Sequence, residues 1–310
     1  MSRGRRRSCK RTDKHRGSRM DQGTCTLTDR GVLKIVGDAT TLLHKVITNT
    51  MLNFTPGEAR YSALLTPQGK LLFDFFILPL PEGPEAGYYI DCVKAQVPDL
   101  IKRINFHKMR AKFTVEDVSD TLGVAAVWGG AKVPEIEGAI VYPDARAPEM
   151  GFRLIAPLAA LAALPADDTA YEVHRVALGV PKGGVDFPYG DTFLHDANID
   201  RCNGVDYKKG CYVGQEVVAR VHFRKSARKR IIPLHFDGPA PALGTEIKAG
   251  DIAIGQVSSI AGASGLGTLR LDKLEDAKAA GTPVKAGEAL VEAFVPPEFI
   301  EEAAGVEKRL

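Results

Sequence analysis

The chain has 310 residues, of which 45% are hydrophobic, 25% charged and 7% aromatic, and its formal net charge is +3. This is the composition of an ordinary globular protein, and the length favours two or three domains over one. The charge is uneven, because residues 1–20 hold nine of the 41 Lys and Arg side chains and one acid, Asp13. The rest of the chain is mildly acidic, so a globally basic, nucleic-acid-binding body is not supported.

Residues 1–20 form a basic N-terminal segment with three competing interpretations. The segment lacks the apolar core of a secretory signal. Its Arg-rich, acid-poor composition is typical of a mitochondrial transit peptide, but no Leu, Ile, Val or Phe precedes Leu27 to supply the apolar face of an amphipathic helix. We therefore expect residues 1–20 to be a disordered extension, with Met20 as an alternative start.

The cysteines and the apolar runs bear on the compartment. The five cysteines are Cys9, Cys25, Cys92, Cys202 and Cys211. None of them forms a C-x-x-C pair or a Cys/His set with zinc spacing. An odd count without a signal peptide predicts free thiols in a reducing compartment, and the scattered histidines predict no metal held by this chain alone. No apolar run approaches the roughly twenty residues of a membrane helix. We expect a cytoplasmic protein, or one of the mitochondrial matrix if the source is eukaryotic, with no membrane partner.

Short strands and helices alternate in the first half of the chain. Residues 25–36 predict two strands joined by a turn at residues 29–31, and Asp38 is expected to cap the helix that follows. Residues 61–80 predict a hairpin around Pro67-Gln68-Gly69-Lys70. Its second strand is apolar on both faces except at Asp74, so this sheet should be covered on both sides. Further strands are predicted over residues 88–93, 113–118 and 124–128, and a helix over residues 98–108.

The second half begins with a helix and ends in strands. Thr169-Ala170-Tyr171-Glu172 has the form of a capping box and predicts a helix through Leu178. From Ile231 onward, short β segments are separated by Gly and Pro at intervals of about ten residues, which is typical of a small barrel or sandwich. The pattern as a whole predicts an α+β layer followed by a small β domain. We place the boundaries at 1–20 (tail), 21–225 (α+β region), 226–300 (β-barrel) and 301–310 (tail).

Residues 198–224 contain the most distinctive chemistry. Gly210 and Gly214 bracket Cys211 and Tyr212, and residues 215–221 are good helix sequence. The nearby cations Lys208 and Lys209 and the start of a helix favour a thiolate over a thiol. The pattern therefore offers a nucleophile or a soft-metal ligand. The competing interpretation is a small core residue at a tight turn. Tyr207 and Tyr212 offer rings for stacking or plain packing.

The run Lys209-Gly210-Cys211-Tyr212-Val213-Gly214-Gln215-Glu216, followed by Arg220, resembles the Lys-Gly-Cys-Tyr-x-Gly-Gln-Glu…Arg signature of the YgfZ family. The resemblance extends over most of residues 25–295, although the chain continues Arg224-Lys225-Ser226 where the family usually has Arg-Gly. It implies a fold of interlocked folate-binding α+β subdomains of the glycine cleavage T-protein type, followed by a small C-terminal β-barrel. It also implies a tetrahydrofolate-binding accessory protein for iron–sulfur cluster assembly or repair.

The resemblance also implies roles for particular residues. Cys211 is the reactive group, Lys209 supports it, and Asp74 is our candidate for the carboxylate that works on the folate amine in the T-protein. A carboxylate simply satisfied by its neighbours is the competing account of Asp74. The folate is expected against the signature, at Tyr212, Gly214, Gln215, Glu216 and Arg220. Residues 208–230 hold eight Lys and Arg against one acid, Glu216, which suits an anionic tail such as the glutamate of a folate. An RNA-facing patch and a solvated linker remain as alternatives.

Three functions follow from these observations. The leading one is the folate-binding iron–sulfur accessory factor, with carrier, scaffold or client enzymes as partners. The second is an aminomethyltransferase-type folate enzyme, and the third is a tRNA-binding or tRNA-modifying protein. Whether the protein is an enzyme is left open by the sequence.

Overall fold

The computed structural model describes residues 22–300. The predicted tails, residues 1–20 and 301–310, lie outside the described residues. Two antiparallel sheets precede a closed barrel. The first sheet has the strand order β3-β4-β5-β2-β6 and the second has the order β1-β7-β9-β8. Their strands are β1 (Gly23–Thr26), β2 (Arg30–Gly37), β3 (Arg60–Leu65), β4 (Leu71–Pro79), β5 (Gly87–Val93), β6 (Phe113–Asp117), β7 (Leu122–Trp128), β8 (Ile140–Pro143) and β9 (Phe152–Pro157).

The predicted hairpin is confirmed as β3 and β4, which pair in antiparallel register with Leu65 opposite Leu71. The prediction that β4 is covered on both faces is also confirmed. Phe73, Phe75 and Ile77 pack into one hydrophobic core, whereas Phe76 and Leu78 pack into another on the opposite face. A strand that is buried on both sides has no solvent face, which is why its sequence is apolar almost throughout.

Helices and sheets stack in layers around a central core. Helices α1 (Thr40–Val46) and α2 (Val97–Lys108) cover the outer face of the first sheet. The inner faces of both sheets, together with α4 (Thr169–Ala177), enclose the central core. The short helix α3 (Leu158–Leu161) packs on the outer face of the second sheet. The first two strands therefore belong to different sheets, although they follow each other directly in the chain.

Two capping predictions were wrong. Helix α1 begins at Thr40 after Ala39, and no side chain caps it, so Asp38 does not act as the cap. Helix α4 has Asp168 at its N-cap position, which places Thr169 inside the helix rather than before it. Glu172 reaches Arg175 at 2.7 Å and Lys182 at 3.1 Å instead of folding back on the helix start. An ion pair within the helix, to Arg175, and another to Lys182 after the helix replaced the local cap.

The barrel follows a largely irregular stretch and one helix. Residues 178–214 form turns and isolated bridges, and helix α5 (Gln215–Arg224) follows them. The barrel order is β10-β13-β12-β11-β14-β15. Its elements are β10 (Lys229–Asp237), β11 (Glu246–Ala249), β12 (Ile252–Ala261), β13 (Ser264–Arg270), helix α6 (Leu271–Ala279), β14 (Val284–Ala286) and β15 (Ala289–Ala293). The sequence pattern missed α6 and β14, because both are short and α6 has only a narrow apolar stripe of Leu271, Leu274 and Ala277.

A buried charged cluster joins the two sheets. Asp91 on β5 is fully buried and accepts hydrogen bonds from Arg30 Nε at 2.6 Å and from Arg153 Nε at 2.8 Å. Tyr142 on β8 donates to the same carboxylate at 2.9 Å. Burial alone would raise the pKa of Asp91, but the guanidinium groups of Arg153 and then Arg30 hold the pKa below its usual range. A carboxylate of the first sheet is thus neutralised by Arg30 of its own sheet and by Arg153 of the second sheet.

Replacing Asp91 with Ala should lower the free energy of unfolding by about 3–5 kcal/mol, because two buried guanidinium groups would lose their counter-ion. Urea denaturation followed by circular dichroism measures the loss. The control is Glu85→Ala, which removes an exposed partner of Lys34 and should leave the midpoint within error. Equal midpoints for the two variants would show that Asp91 does not hold the sheets together.

Candidate functional site

The signature segment, residues 209–216, runs from the irregular stretch into helix α5. Tyr212 is 7% exposed and belongs to the central core, whereas the next residue, Val213, packs against the core under helices α1 and α2. Consecutive side chains are therefore anchored in two different cores. The residue before them, Cys211, remains exposed at the surface. The anchoring fixes the backbone on which the thiol is presented.

Glycines on both sides of the thiol adopt backbone angles that other residues avoid. Gly210 has φ +97° and Gly214 has φ +83°, and Gly214 is the residue from which α5 starts. A β-carbon on Gly214 would lie 2.7 Å from the carbonyl oxygen of Thr66 and 3.2 Å from the Cα of Gly69. A β-carbon on Gly210 would meet nothing within 4 Å. The two glycines thus share a conformational role, but only Gly214 is also needed for close packing on the β3–β4 turn.

Lys209 is held by the protein and does not project freely. Its Nζ donates to the carbonyl oxygen of Ile47 at 2.6 Å and lies 5.1 Å from the centroid of the Tyr212 ring. Its own carbonyl oxygen is 2.9 Å from His44 Nε2. Burial lowers the pKa of Lys209 to about 8, and the nearby carboxylate of Asp206 opposes this shift. Lys209 is therefore a partly buried cation that ties the signature segment to α1.

Cys211 differs sharply from the other cysteines among residues 22–300. Cys25, Cys92 and Cys202 are all buried, and desolvation raises the pKa of each to about 12. Such thiols stay protonated and shielded from reagents, so they serve as small core residues. Cys211 is the exposed cysteine of the described part of the chain. Cys92 lies on β5 and packs into the core under helices α1 and α2.

The remaining signature residues lie on the first turns of α5. Gln215 N donates to the carbonyl oxygen of Tyr212 at 3.2 Å, so it closes the turn at the helix start. Glu216 and Arg220 are exposed and lie one helical turn apart on the same face. Within residues 22–300 no group of three or more Cys, His, Asp and Glu side chains could hold a metal ion. The segment presents one thiol and a few charged groups to solvent.

The rings of the two tyrosines considered for stacking are packed against other side chains of the protein. The Tyr207 ring stacks on His222 with a centroid distance of 3.6 Å, and its hydroxyl group lies 3.2 Å from His195 Nε2. The Tyr212 hydroxyl has no hydrogen-bond partner within the described residues, and burial raises the pKa of this side chain. A ligand ring would reach Tyr212 only by displacing the packing around it.

Asp74 lies in a different site from the thiol. It is 5% exposed on β4, where Tyr61 donates to one carboxylate oxygen at 2.9 Å and Tyr189 donates to the other. The adjoining cavity is small, about 30 Å³, and none of its lining residues comes from the signature segment. The structure therefore does not bring Asp74 together with Cys211 and Lys209. The predicted role of Asp74 stays a prediction.

Sequence reasoning missed the charged residues around Asp74. The lining of this cavity includes Arg30, Arg146 and Arg153, together with Lys182. Arg146 pairs with buried Asp144 at 2.7 Å, and Arg153 pairs with Asp91. Arg153 interrupts the apolar pattern of the short strand β9, and this interruption was the available sequence signal for a buried charge. Recognising it required knowing which face of β9 lies inside.

The architecture is that of the glycine cleavage aminomethyltransferases. The structure of glycine cleavage system aminomethyltransferase T from Bartonella henselae superposes with a TM-score of 0.68, covering 91% of this chain and 87% of that one at 16% identity. A model of the CAF17 C-terminal beta-barrel domain matches residues 228–299. The predicted fold class, α+β subdomains of the T-protein type followed by a small closed barrel, is thus confirmed. At this identity the likeness establishes the fold alone.

Among curated proteins the chain is similar to mitochondrial homologs of the iron–sulfur cluster assembly factor IBA57. The relative from Mycosarcoma maydis is 33% identical over 223 residues, which is 67% of this chain and 55% of the relative. The relative from Aspergillus oryzae is 32% identical over 280 residues, which is 76% of this chain and 62% of the relative. The chain therefore spans little more than half the length of these relatives. In residues 22–300 no helix has the length and apolarity needed to cross a bilayer.

Cys211 should react with iodoacetamide at pH 7.5 while Cys25, Cys92 and Cys202 stay unmodified until the protein unfolds, because of these four cysteines Cys211 alone is exposed. Peptide mass spectrometry after timed alkylation, with and without urea, measures each site. A Cys211→Ser variant should show no fast labelling among these four positions. Comparable native labelling at a buried cysteine would contradict the assignment.

Gly214→Ala should destabilise the protein more than Gly210→Ala. Both substitutions meet the left-handed penalty of about 1 kcal/mol, but only the alanine at 214 also presses on the carbonyl oxygen of Thr66. Urea midpoints measured side by side provide the comparison. Equal losses would mean that the β3–β4 turn yields freely and that the contact does not fix the thiol segment.

Proposed function

We propose that this protein acts in the assembly or repair of iron–sulfur clusters through the thiol of Cys211. The single observation that carries the proposal is the exposed cysteine on a backbone held by two glycines and by two cores. The names of its curated relatives, iron–sulfur cluster assembly factors, support the same process. The resemblance of residues 209–220 to the YgfZ signature adds independent support from the motif.

Cysteine thiolate is the usual ligand of iron–sulfur clusters, and a stable cluster normally needs four such ligands. The described part of this chain offers one exposed cysteine and no group of three or more Cys, His, Asp and Glu side chains that could hold a metal ion. A cluster is therefore cargo that Cys211 contacts together with ligands of a partner, such as a carrier, a scaffold or a client enzyme. The exposed cations and carboxylate on α5 supply the contact surface around the thiol.

Tetrahydrofolate is the ligand that the family resemblance predicts, with Asp74 as the carboxylate that works on its amine and the signature residues Tyr212, Gly214, Gln215, Glu216 and Arg220 around it. The residues present do not fit a pterin ring at Asp74 in this arrangement. Both oxygens of its carboxylate accept hydrogen bonds from tyrosines, and the cavity of about 30 Å³ has space for about two water molecules. Folate binding itself remains a proposal to be tested by titration.

The test is complementation of a strain that lacks this gene, with the activity of a radical-SAM methylthiotransferase as the readout. Wild type and Cys202→Ala should restore activity, because Cys202 is a buried core residue. Cys211→Ala should leave activity at the level of the deletion strain, because the cluster would lose its contact. Immunoblotting confirms equal protein levels.

Restoration by Cys211→Ala would refute the role of the thiol while leaving the process open. If deletion of the gene does not affect iron–sulfur enzymes, the process itself is wrong. Glycine cleavage activity with the lipoyl carrier protein and salt-dependent tRNA binding would then become the measurements of choice.

A further inference from the structure

The C-terminal end of helix α2 carries a local concentration of positive charge. Residues 102–112 read Lys-Arg-Ile-Asn-Phe-His-Lys-Met-Arg-Ala-Lys, with five Lys and Arg side chains, one histidine and no acid. The chain after residue 20 is mildly acidic as a whole, so this charge is a property of the segment and not of the protein. We call residues 102–112 the α2 tip. The proposed function makes no use of it.

Two large apolar side chains of the α2 tip face solvent. Phe106 is 74% exposed, and Met109 is 92% exposed, the highest value for a large apolar side chain among residues 22–300. Phe106 lies in the last turn of α2, and Met109 is the residue that directly follows the helix. Single exposed apolar residues are ordinary on protein surfaces, but large ones that stand together mark interaction sites.

The backbone of Met109 is unfavourable for a methionine. Its φ is +44° and its ψ is −107°, a combination that residues other than glycine rarely adopt. Glycine is the usual residue where a helix ends with a positive φ, because it has no β-carbon to strain. A side chain that is 92% exposed gains little packing energy in return for this strain. The local fold therefore does not account for a methionine here, and the strain points to a use of the side chain.

Ordinary helix chemistry accounts for only part of the positive charge. Cations near a helix C-terminus offset its macrodipole, and Lys108 is placed for that role. Lys102 pairs with Asp99 at 3.0 Å, one turn earlier in the same helix. Arg110 and Lys112 lie beyond the helix end, are exposed, and form no ion pair within residues 22–300. Their charges are available to an anionic partner on the side where Met109 meets solvent.

A bilayer of anionic phospholipids matches this combination of groups. Phe and Met side chains can enter the boundary between headgroups and acyl chains, while flanking Lys and Arg side chains meet the phosphates. An RNA would use the cations and the Phe106 ring, but base stacking gives no role to Met109. A specific protein partner needs a broader complementary face than one helix end. The observations favour a membrane surface over both.

We propose that the α2 tip docks the protein on an anionic membrane surface, with Phe106 and Met109 inserted and the cations of the tip against the lipid phosphates. Contact of this kind lies in the plane of the interface and needs no helix that spans the bilayer. The expectation of no membrane partner was based on the length of apolar runs, which a surface contact does not require.

The α2 tip and the signature segment lie at opposite ends of helix α1. The backbone N–H of Asp38, just before α1, donates to the carbonyl oxygen of Lys112 at 3.0 Å. After the other end of α1, the carbonyl oxygen of Ile47 accepts a hydrogen bond from Lys209. Seven helical residues, about 10 Å of helix, separate these two contacts. A membrane at the tip therefore does not cover Cys211, and the inference does not rest on the proposed role of the thiol.

Tryptophan fluorescence of the full-length chain measures insertion at the tip. The chain has one tryptophan, Trp128, which is 3% exposed and gives a constant background. On vesicles of equal parts phosphatidylcholine and phosphatidylglycerol, Phe106→Trp should be quenched by bromine atoms on the acyl chains, because position 106 enters the bilayer. Leu243→Trp, at a 64% exposed position between β10 and β11, should not be quenched. Attachment through residues 1–20 alone would not quench position 106.

Flotation with the same vesicles measures the apolar contribution to affinity. Wild type should float with them and should not float with vesicles of phosphatidylcholine alone. Phe106→Ser combined with Met109→Ser should weaken binding at least about tenfold, because both inserted side chains are lost. Leu243→Ser should bind like wild type. Thermal melting confirms that each variant is folded.

The same assay measures the contribution of the cations. Arg110→Gln combined with Lys112→Gln should weaken binding about 30-fold at low salt, because each cation near an anionic surface adds to the attraction. The matched control, Lys273→Gln combined with Lys278→Gln on helix α6, should not change the affinity.

Several outcomes would overturn the proposal. These are no flotation of wild type, an unquenched Phe106→Trp on vesicle-bound protein, or unchanged affinity of the double serine variant. Equal losses in the two pairs of glutamine substitutions would show a diffuse charge effect without a docking tip. Binding of tRNA that the Arg110→Gln and Lys112→Gln variant loses, without vesicle binding by wild type, would assign the tip to nucleic acid instead.

Discussion

The buried carboxylate of Asp91 is the constraint on which the two-sheet body depends. It belongs to the first sheet, yet Arg153 and Tyr142, which neutralise and hydrogen-bond it, belong to the second. A charge so far from water is tolerated only with such partners, so the sheets must face each other in one register. That register also brings Arg30 and Arg153 to the cavity beside Asp74. The closed, highly charged centre is a consequence of this interlock.

Similar buried pairs attach the barrel to the body. Arg175 on α4 contacts Asp186 at 2.7 Å and donates to Ser259 on β12 at 3.0 Å. Arg230 on β10 is fully buried and donates to Asp200 and to the carbonyl oxygen of His195. These contacts hold the irregular residues 178–214 between body and barrel. Residues 178–214 have few strand hydrogen bonds, yet these contacts let them present Cys211 and shape the cavity beside α5 reproducibly.

The arrangement separates three chemical environments that a linear signature would merge. The thiol lies at the surface, Asp74 lies in a closed charged centre, and Asp196 lies in an apolar cavity behind α5. Separation suits a protein that hands a cluster to a partner, since a surface thiol can meet ligands of another chain. Because of this separation, a small molecule in the cavity beside α5 would influence the thiol only through α5 and the β3–β4 turn.

The sequence by itself determined the local elements and the identity of the thiol. The β3–β4 hairpin, α2, α4, α5 and five of the six barrel strands follow from periodicity and turn residues, which act over a few neighbours. Cys211 stood out because two glycines flank it and its motif is specific. The helix caps at Asp38 and Thr169 were misjudged: no side chain caps α1, and Glu172 pairs with Arg175 and Lys182 instead of the helix start.

Only the tertiary structure decided which residues share a site. It assigned β1 and β2 to different sheets and separated Asp74 from Cys211. It also assembled the cavity beside α5 from separate parts of the chain. It also buried Asp91 among arginines that are 61 or 62 residues away from it in sequence. Propensity and spacing describe short-range preferences, whereas burial and charge pairing depend on how whole elements pack. The thiol could be identified from the sequence because its motif is local. The cavities could not be identified, because a cavity is formed by packing between elements.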